Sequence, residues 1–129
     1  ETNVRRIDAK FYNCIVHGNL ENELGVDSFP RAAPNQCNFL FDHSLIKLES
    51  SYAVSNTNFF NSIIKATGYN NRPGFKDITN NDYQLDSLSI AIDAGDLNIL
   101  SVDPVLNNDL KGTSRPQGSA PDLGAFEKQ

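Results

Sequence analysis

Three seven-residue segments of this chain align without gaps: Phe11-Tyr12-Asn13-Cys14-Ile15-Val16-His17, Phe41-Asp42-His43-Ser44-Leu45-Ile46-Lys47 and Phe59-Phe60-Asn61-Ser62-Ile63-Ile64-Lys65. Their starts lie 30 and 18 residues apart. Each reads Phe, any residue, Asn or His, Cys or Ser, two aliphatics, then a basic side chain. The match includes polar positions, which argues against three unrelated strands of an antiparallel sandwich. Repeats that set like residues over like residues are the signature of stacked β-solenoid coils, one coil taking roughly twenty residues. The longer interval then carries an insertion at about residues 18–36, where Gly25, Pro30, Pro34 and the polar stretch Asn19–Glu23 interrupt regular structure.

Strict strand alternation through all seven positions would bury either Asp42 or both Lys47 and Lys65. A bend at the Asn/His position resets the phase. Phe11, Phe41 and Phe59 then point inward before the bend; Cys14, Ser44 and Ser62, and after them Val16, Ile46 and Ile64, point inward beyond it. His17, Lys47 and Lys65 fall in one solvent-facing column. The outward aliphatics Ile15, Leu45 and Ile63 form an apolar stripe that needs cover from a loop or a partner. Each inward Phe or Ile would contribute roughly 1.5–3 kcal/mol by leaving water.

Asn is abundant and often paired, as in Asn70-Asn71, Asn80-Asn81 and Asn107-Asn108. Asn and Gly tolerate left-handed backbone, so the composition favours short extended pieces and sharp bends over long helices. The fold class is all-β. A net charge of -5, with Lys and Arg scattered apart from Arg5-Arg6, makes nucleic acid an improbable partner. No apolar run approaches the roughly 20 residues of a membrane-spanning helix. Cys14 and Cys37 have neither metal-site spacing nor a redox motif; two small reduced side chains are the favoured reading, a disulfide the other.

The last third has a distinctive order of glycines and acids. It runs Pro73-Gly74-Phe75, Asp77, Asn81-Asp82-Tyr83-Gln84-Leu85 and Ser89-Ile90-Ala91-Ile92-Asp93-Ala94-Gly95-Asp96. It continues with Asp109, Gly112, Arg115 and Asp122-Leu123-Gly124-Ala125-Phe126-Glu127. This order, with the Phe11–Asn19 phrase, resembles the C-terminal region of bacterial right-handed parallel β-helix proteins that end in a choice-of-anchor Q domain. The chain departs from that pattern at Ile90, where the family usually has Pro. The resemblance implies the last coils of a right-handed single-stranded parallel β-helix followed by an irregular C-terminal cap. On that reading residues 1–68 are coils with the insertion, and residues 69–129 are the final coil and cap of the same continuous domain. It further implies a Bacteroidota-type protein exported to the extracellular or outer-membrane surface, with more coils, or another chain, completing the Glu1 end.

The residues themselves offer little chemistry. Asp93, Asp96, Asp109, Asp122 and Glu127 sit among Gly and Ala in turn sequences, with no His beside them to act as a base. The favoured role is structural: carboxylates accept backbone N–H bonds while Arg115 ties Asp93, Asp96 or Asp122 together. Asp93 and Asp96 are a weak candidate pair for Ca²⁺; no other cofactor is expected. Lys47 and Lys65, with Tyr52 and Tyr69, are candidate contacts for a polysaccharide. Tyr12 and Tyr83 are further aromatic rings. Phe75, Tyr83, Leu85, Ile92 and Phe126 are expected to pack the cap onto the final coil. His17 and His43 fall in different repeat columns and make a poor metal pair. Triads, phosphate-cradling glycine loops and zinc signatures are absent. The expected function is non-catalytic: stabilising a solenoid within a surface assembly or in glycan handling. The alternatives are part of a β-helix polysaccharide lyase, or a glycan-binding module.

Overall fold

The computed structural model describes residues 6–26 and 37–129. Short strands predominate, and the helical pieces are three 3-10 turns. Strands β1 (Ile7–Tyr12), β3 (Cys37–Asp42) and β5 (Phe60–Asn61) form one three-stranded sheet in the order β1-β3-β5; β2 (Ile15–Val16), β4 (Leu45–Lys47) and β6 (Ile64–Ala66) form a second, in the order β2-β4-β6. All four pairings within these sheets are parallel. β7 (Phe75–Asp77) and β8 (Asp82–Leu85) form an antiparallel hairpin around the 3-10 turn Ile78–Asn80. The segments 18–26 and 48–59 return the chain without adding a strand to either parallel sheet, so the described residues make two walls and not a closed solenoid.

The expected bend is present, and its cause is visible. Asn13, His43 and Ser62 have φ of 52°, 43° and 50°, the left-handed conformation that turns each repeat from the first sheet into the second. The first interval follows the sequence alignment, Phe11 pairing with Phe41 and Ile15 with Leu45. The second is one residue longer than the alignment implied. Phe41 pairs with Phe60, not Phe59, and Leu45 pairs with Ile64. Doublets explain the misalignment: Phe59-Phe60 and Ile63-Ile64 look the same to a hydrophobic pattern in either register, and Asn61 is a better left-handed residue than Ser62. The slip moves Ser62 to the exposed bend and Lys65 into the Val16–Ile46 column, opposite Ile46. Lys47 faces Ala66 instead.

Consecutive residues of a strand point to opposite faces, and the second sheet is covered on both. Ile46 joins Phe41, Leu48 and Phe60 in a cluster shared with the first sheet, with Val16, Phe39 and Tyr52 at its margin. Phe11 stacks on Phe41 at 4.5 Å and Phe41 on Phe60 at 6.4 Å, an aromatic column running through all three repeats. Phe11, at its outer end, is 40% exposed. On the other face Leu45 and Ala66 are buried with Leu85, Ala91 and Leu123, and Ile15, Ile64, Phe75 and Ile92 pack around them. The apolar stripe that the sequence left uncovered is therefore Ile15–Leu45–Ile64, and the C-terminal segment is its cover.

That arrangement corrects the expected cap. The segment does not sit only on the last repeat; it runs along the side of all three. Gly124 donates its N–H to the Asn13 carbonyl at 2.7 Å, and a Cβ built on Gly124, whose φ is 89°, would meet Ile15 Cδ1 at 3.0 Å. Of the residues expected to pack there, Phe75, Leu85 and Ile92 do so, whereas Tyr83 is 49% exposed. Leu45 is fully buried at the centre of this face. Leu45→Ala is expected to cost about 2–5 kcal/mol, with Ile64→Ala lower because Ile64 is only partly buried; urea denaturation of the two variants checks the order.

Candidate functional site

The C-terminal acids form a connected set, and what they bind is backbone. Asp122, 2% exposed, accepts the Asp93 N–H at 2.8 Å through Oδ1 and the Lys128 N–H at 2.6 Å through Oδ2. Glu127 accepts the Asp122 N–H at 2.9 Å and the Gln117 N–H at 3.1 Å. Asp109 accepts from Lys111 and Thr113 through Oδ1 at 2.8 and 2.7 Å, and from Glu127 through Oδ2 at 3.0 Å. Asp93 accepts the Ala120 N–H at 3.2 Å, and Asp96 caps the 3-10 turn Leu97–Ser101 by accepting from Asn98. An irregular segment has no sheet ladder to satisfy its peptide groups, so these carboxylates do that work. Asp96 and Asp109 cap local turns, whereas Asp93, Asp122 and Glu127 accept N–H groups 5 to 29 residues away.

Arg115 has a different partner from those expected. Its Nε lies 3.4 Å from Glu127 Oε1, and its terminal nitrogen donates to the Gly124 carbonyl at 2.9 Å. Asp93, Asp96 and Asp122 are engaged with backbone N–H groups instead. Burial pushes the Glu127 carboxyl above the usual range, with help from the nearby Asp122, against the pull of its N–H donors and Arg115. For Asp109, burial acts in the same upward direction, but the N–H groups of Glu127, Thr113 and Lys111 outweigh it and hold the carboxyl below its usual value.

Asn13 is the residue whose importance the sequence reading missed. Its side-chain Oδ1 accepts the Asp96 N–H at 2.7 Å, and its Nδ2 donates to the Asp96 carbonyl at 3.2 Å. The primary amide of the first bend therefore pairs with both peptide groups of a residue 83 positions later. Gly95 permits this closeness, since a Cβ there would lie 2.7 Å from the Pro121 carbonyl oxygen and 2.9 Å from the Asn13 amide carbon. The sequence signal was only that Asn suits a left-handed bend; nothing in it pointed to Asp96.

Of the candidate polysaccharide contacts, Lys65 and Tyr52 meet, and both lysines are engaged by backbone carbonyls. Lys47 is buried, not solvent-facing, with its ammonium donating to the Gly18 carbonyl at 2.8 Å. Lys65 donates to the Ser50 and Tyr52 carbonyls at 2.9 and 2.6 Å. Tyr52 packs edge-on against Phe60, and Tyr69 is 87% exposed beside Arg72, whose guanidinium carbon lies 4.4 Å from the ring centre. His43 pairs with Asp42 at 2.7 Å, far along the chain from His17 in both sequence and role. Cys14 and Cys37 are free, half-buried thiols. Among the described residues no group of three or more His, Cys, Asp or Glu side chains is gathered as a metal site, and no helix is long and apolar enough to cross a membrane.

A cavity of about 500 Å³ opens where the hairpin, the second sheet and the C-terminal segment meet. Phe75, Tyr83 and Phe126 supply its aromatic wall, with His17 and Asn81 as polar groups and Leu110 at the rim. Sequence reading had named Phe75, Tyr83 and Phe126 as packing residues, not as the walls of an opening. No protein-family model, curated protein or solved structure matches this chain.

Two outcomes follow for the acid set. Arg115→Ala removes the cation beside a glutamate side chain that is 1% exposed, and is expected to cost about 3–5 kcal/mol in a urea melt. Asp109→Asn replaces one acceptor oxygen by an N–H donor and leaves a backbone donor unpaired, a cost of about 1–3 kcal/mol at neutral pH. Because Asp109 has a depressed pKa when folded, its contribution is complete above the ordinary aspartate range and disappears as pH falls through the folded value. The gap between wild type and Asp109→Asn should therefore narrow between melts at about pH 7 and about pH 3. Glu127 acts with the opposite sign, since its raised pKa gives stability present below the ordinary glutamate value and lost as pH rises through the folded one.

Proposed function

We propose that this chain is a non-catalytic structural module. Its C-terminal segment clamps stacked parallel repeats along their side and holds them in register. The observation that carries this reading is the buried outer face of the second sheet. Ile15, Leu45 and Ile64, one from each repeat, pack against Leu85, Ala91 and Leu123 of one continuous segment. The buried acids support it, because their oxygens accept backbone N–H groups.

The wider reading places the two walls within a right-handed parallel β-helix that closes through its return segments and continues in further coils. Parallel crossovers in one sheet are right-handed with few exceptions. Among the described residues β1 pairs on one side only, with β3, and its Ile7 and Phe11 are exposed at 60% and 40%. A further parallel strand from the same parent protein, or from another chain, would pair this edge and extend the phenylalanine column. The Glu1 end itself lies outside the described residues. On the strength of the Pro73–Glu127 motif order, the module is of the choice-of-anchor Q type. It belongs to a Bacteroidota-like protein exported to the extracellular or outer-membrane surface, serving a surface assembly or glycan handling. Calcium is not required by this reading.

Removal of residues 86–129 tests the clamp. The shortened chain is expected to lose its cooperative thermal transition and bind a hydrophobic dye, because the Leu45 face is then open to water. An unchanged transition would end the clamp reading. A finer probe is Asn13→Ala, which leaves both peptide groups of Asp96 without their partner and is expected to cost about 2 kcal/mol or more. Asn13→Gly, which keeps the left-handed bend, separates the lost amide pairing from backbone strain. Labelling of intact source cells with a membrane-impermeant biotin reagent checks the surface location.

A further inference from the structure

We propose that the cavity between the hairpin and the C-terminal segment is a binding site for a neutral sugar ring, a pyranose unit of an uncharged glycan. This sharpens the glycan-handling part of the reading above and leaves the clamp independent of it.

The walls dictate the class of guest. At about 500 Å³ the opening falls within the range of small-ligand sites. Phe75 and Tyr83 meet edge to face, with ring centres 5.5 Å apart and planes at 88°, so they present ring surface in two directions. Phe126 forms a third aromatic surface. Tyr83 and Leu110, 49% and 77% exposed, stand at the mouth with apolar surface that the fold does not cover. A pyranose has this dual character: a face of C–H groups that lies on an aromatic ring, and an edge of hydroxyls that needs hydrogen-bonding groups.

The polar groups fit the same guest. His17 lines the cavity, and its Nε2 is buried without a hydrogen-bond partner. That atom is closed to the cavity, so the remainder of the His17 ring, and not Nε2, lines the wall. The ring is kept neutral, first by burial and then by the positive charges of Lys47 and Arg72, against the opposing pull of Glu23. Asn81, also in the wall, carries an amide that can donate and accept, and its Oδ1 lies 3.4 Å from the Tyr83 hydroxyl. A purely apolar guest would make no use of the polar edge that His17 and Asn81 give the wall. A uronate would bring a carboxylate into a wall that holds no Lys, Arg, Asp or Glu among the described residues. Lys111 is near, 5.7 Å above the Phe126 ring centre, but belongs to a neighbouring depression and not to this wall. The wall itself therefore offers a uronate carboxylate no cation to pair with.

The test is an amide-detected NMR titration of the intact chain with cellobiose, lactose and methyl α-mannopyranoside, and with glucuronate as the charged control. At least one neutral sugar is expected to move the amides of Tyr83, Gly124, Ala125 and Phe126, with glucuronate binding roughly tenfold more weakly or worse. Tyr83→Ala should weaken binding roughly tenfold while Tyr83→Phe keeps it, because ring contact is the larger part. Leu110→Ser, at a more exposed position, gives a second variant should Tyr83→Ala fail to fold. The inference is overturned if no neutral sugar moves these amides at tens of millimolar. It is also overturned if glucuronate binds equally well, if both Tyr83→Ala and Leu110→Ser bind as wild type, or if Nile red occupies the cavity and no sugar displaces it. None of these results would alter the melting behaviour that reads the clamp.

Discussion

A parallel sheet with apolar side chains on both faces must be covered on both, and everything distinctive in this molecule follows from that demand. In β4 the adjacent residues Leu45 and Ile46 are both completely buried, although they point to opposite sides. Ile46 finds its cover within the repeats, against Phe41 and Phe60. Leu45 has none there. The chain supplies it from the far end, with Leu85, Ala91 and Leu123. The long C-terminal segment is thus the missing layer of the sheet sandwich, and its irregular backbone is a consequence of following a surface shaped by side chains instead of pairing with a strand.

Irregular backbone under a buried face raises a second demand, for hydrogen-bond partners. The acids meet it. Asp109, Asp122 and Glu127 among them accept seven backbone N–H groups, and Asn13 pairs both peptide groups of Asp96. Two of these carboxylates shift in opposite directions, although burial pushes both upward. Asp109 is held ionised by three donors, while Glu127, more enclosed, is pushed toward its neutral form and relies on Arg115. The oxygens of Asp109, Asp122 and Glu127, read in one dimension as acceptors for backbone N–H groups, meet donors from distant parts of the segment in three. What is left open is elsewhere, in an uncharged aromatic hollow that the covering segment makes with the hairpin.

Much of the fold was legible. The three phenylalanine segments announced parallel stacking with a bend, and the bend, the first register and the Ile15–Leu45 part of the orphan aliphatic stripe are present, with Ile64 in place of Ile63. The hairpin's turn rests on local chemistry, since Asp77 caps a 3-10 turn that ends at the left-handed Asn81. The second register was not legible, since Phe59-Phe60 and Ile63-Ile64 hide a one-residue slip. That slip is what separates Lys47 from Lys65. Lys47 then sits buried on the Gly18 carbonyl, a placement no solvent-facing column would have given it. Arg115 was read as a bridge between aspartates, and it faces Glu127 because the aspartates are already satisfied by N–H groups.

Local chemistry by itself determined the things that depend on neighbours in the chain: left-handed bends at small polar residues, alternation of apolar side chains, turn-capping by Asp, and the need for cover over Ile15 and Leu45. Only the tertiary structure decided where that cover comes from, which side of the repeats it takes, and which amide meets which peptide across 83 positions. The reason is physical. A hydrophobic stripe states that water must be excluded but not by what, since burial has no direction. A hydrogen-bonding side chain such as that of Asn13 reveals its partner only when distant backbone is brought within reach.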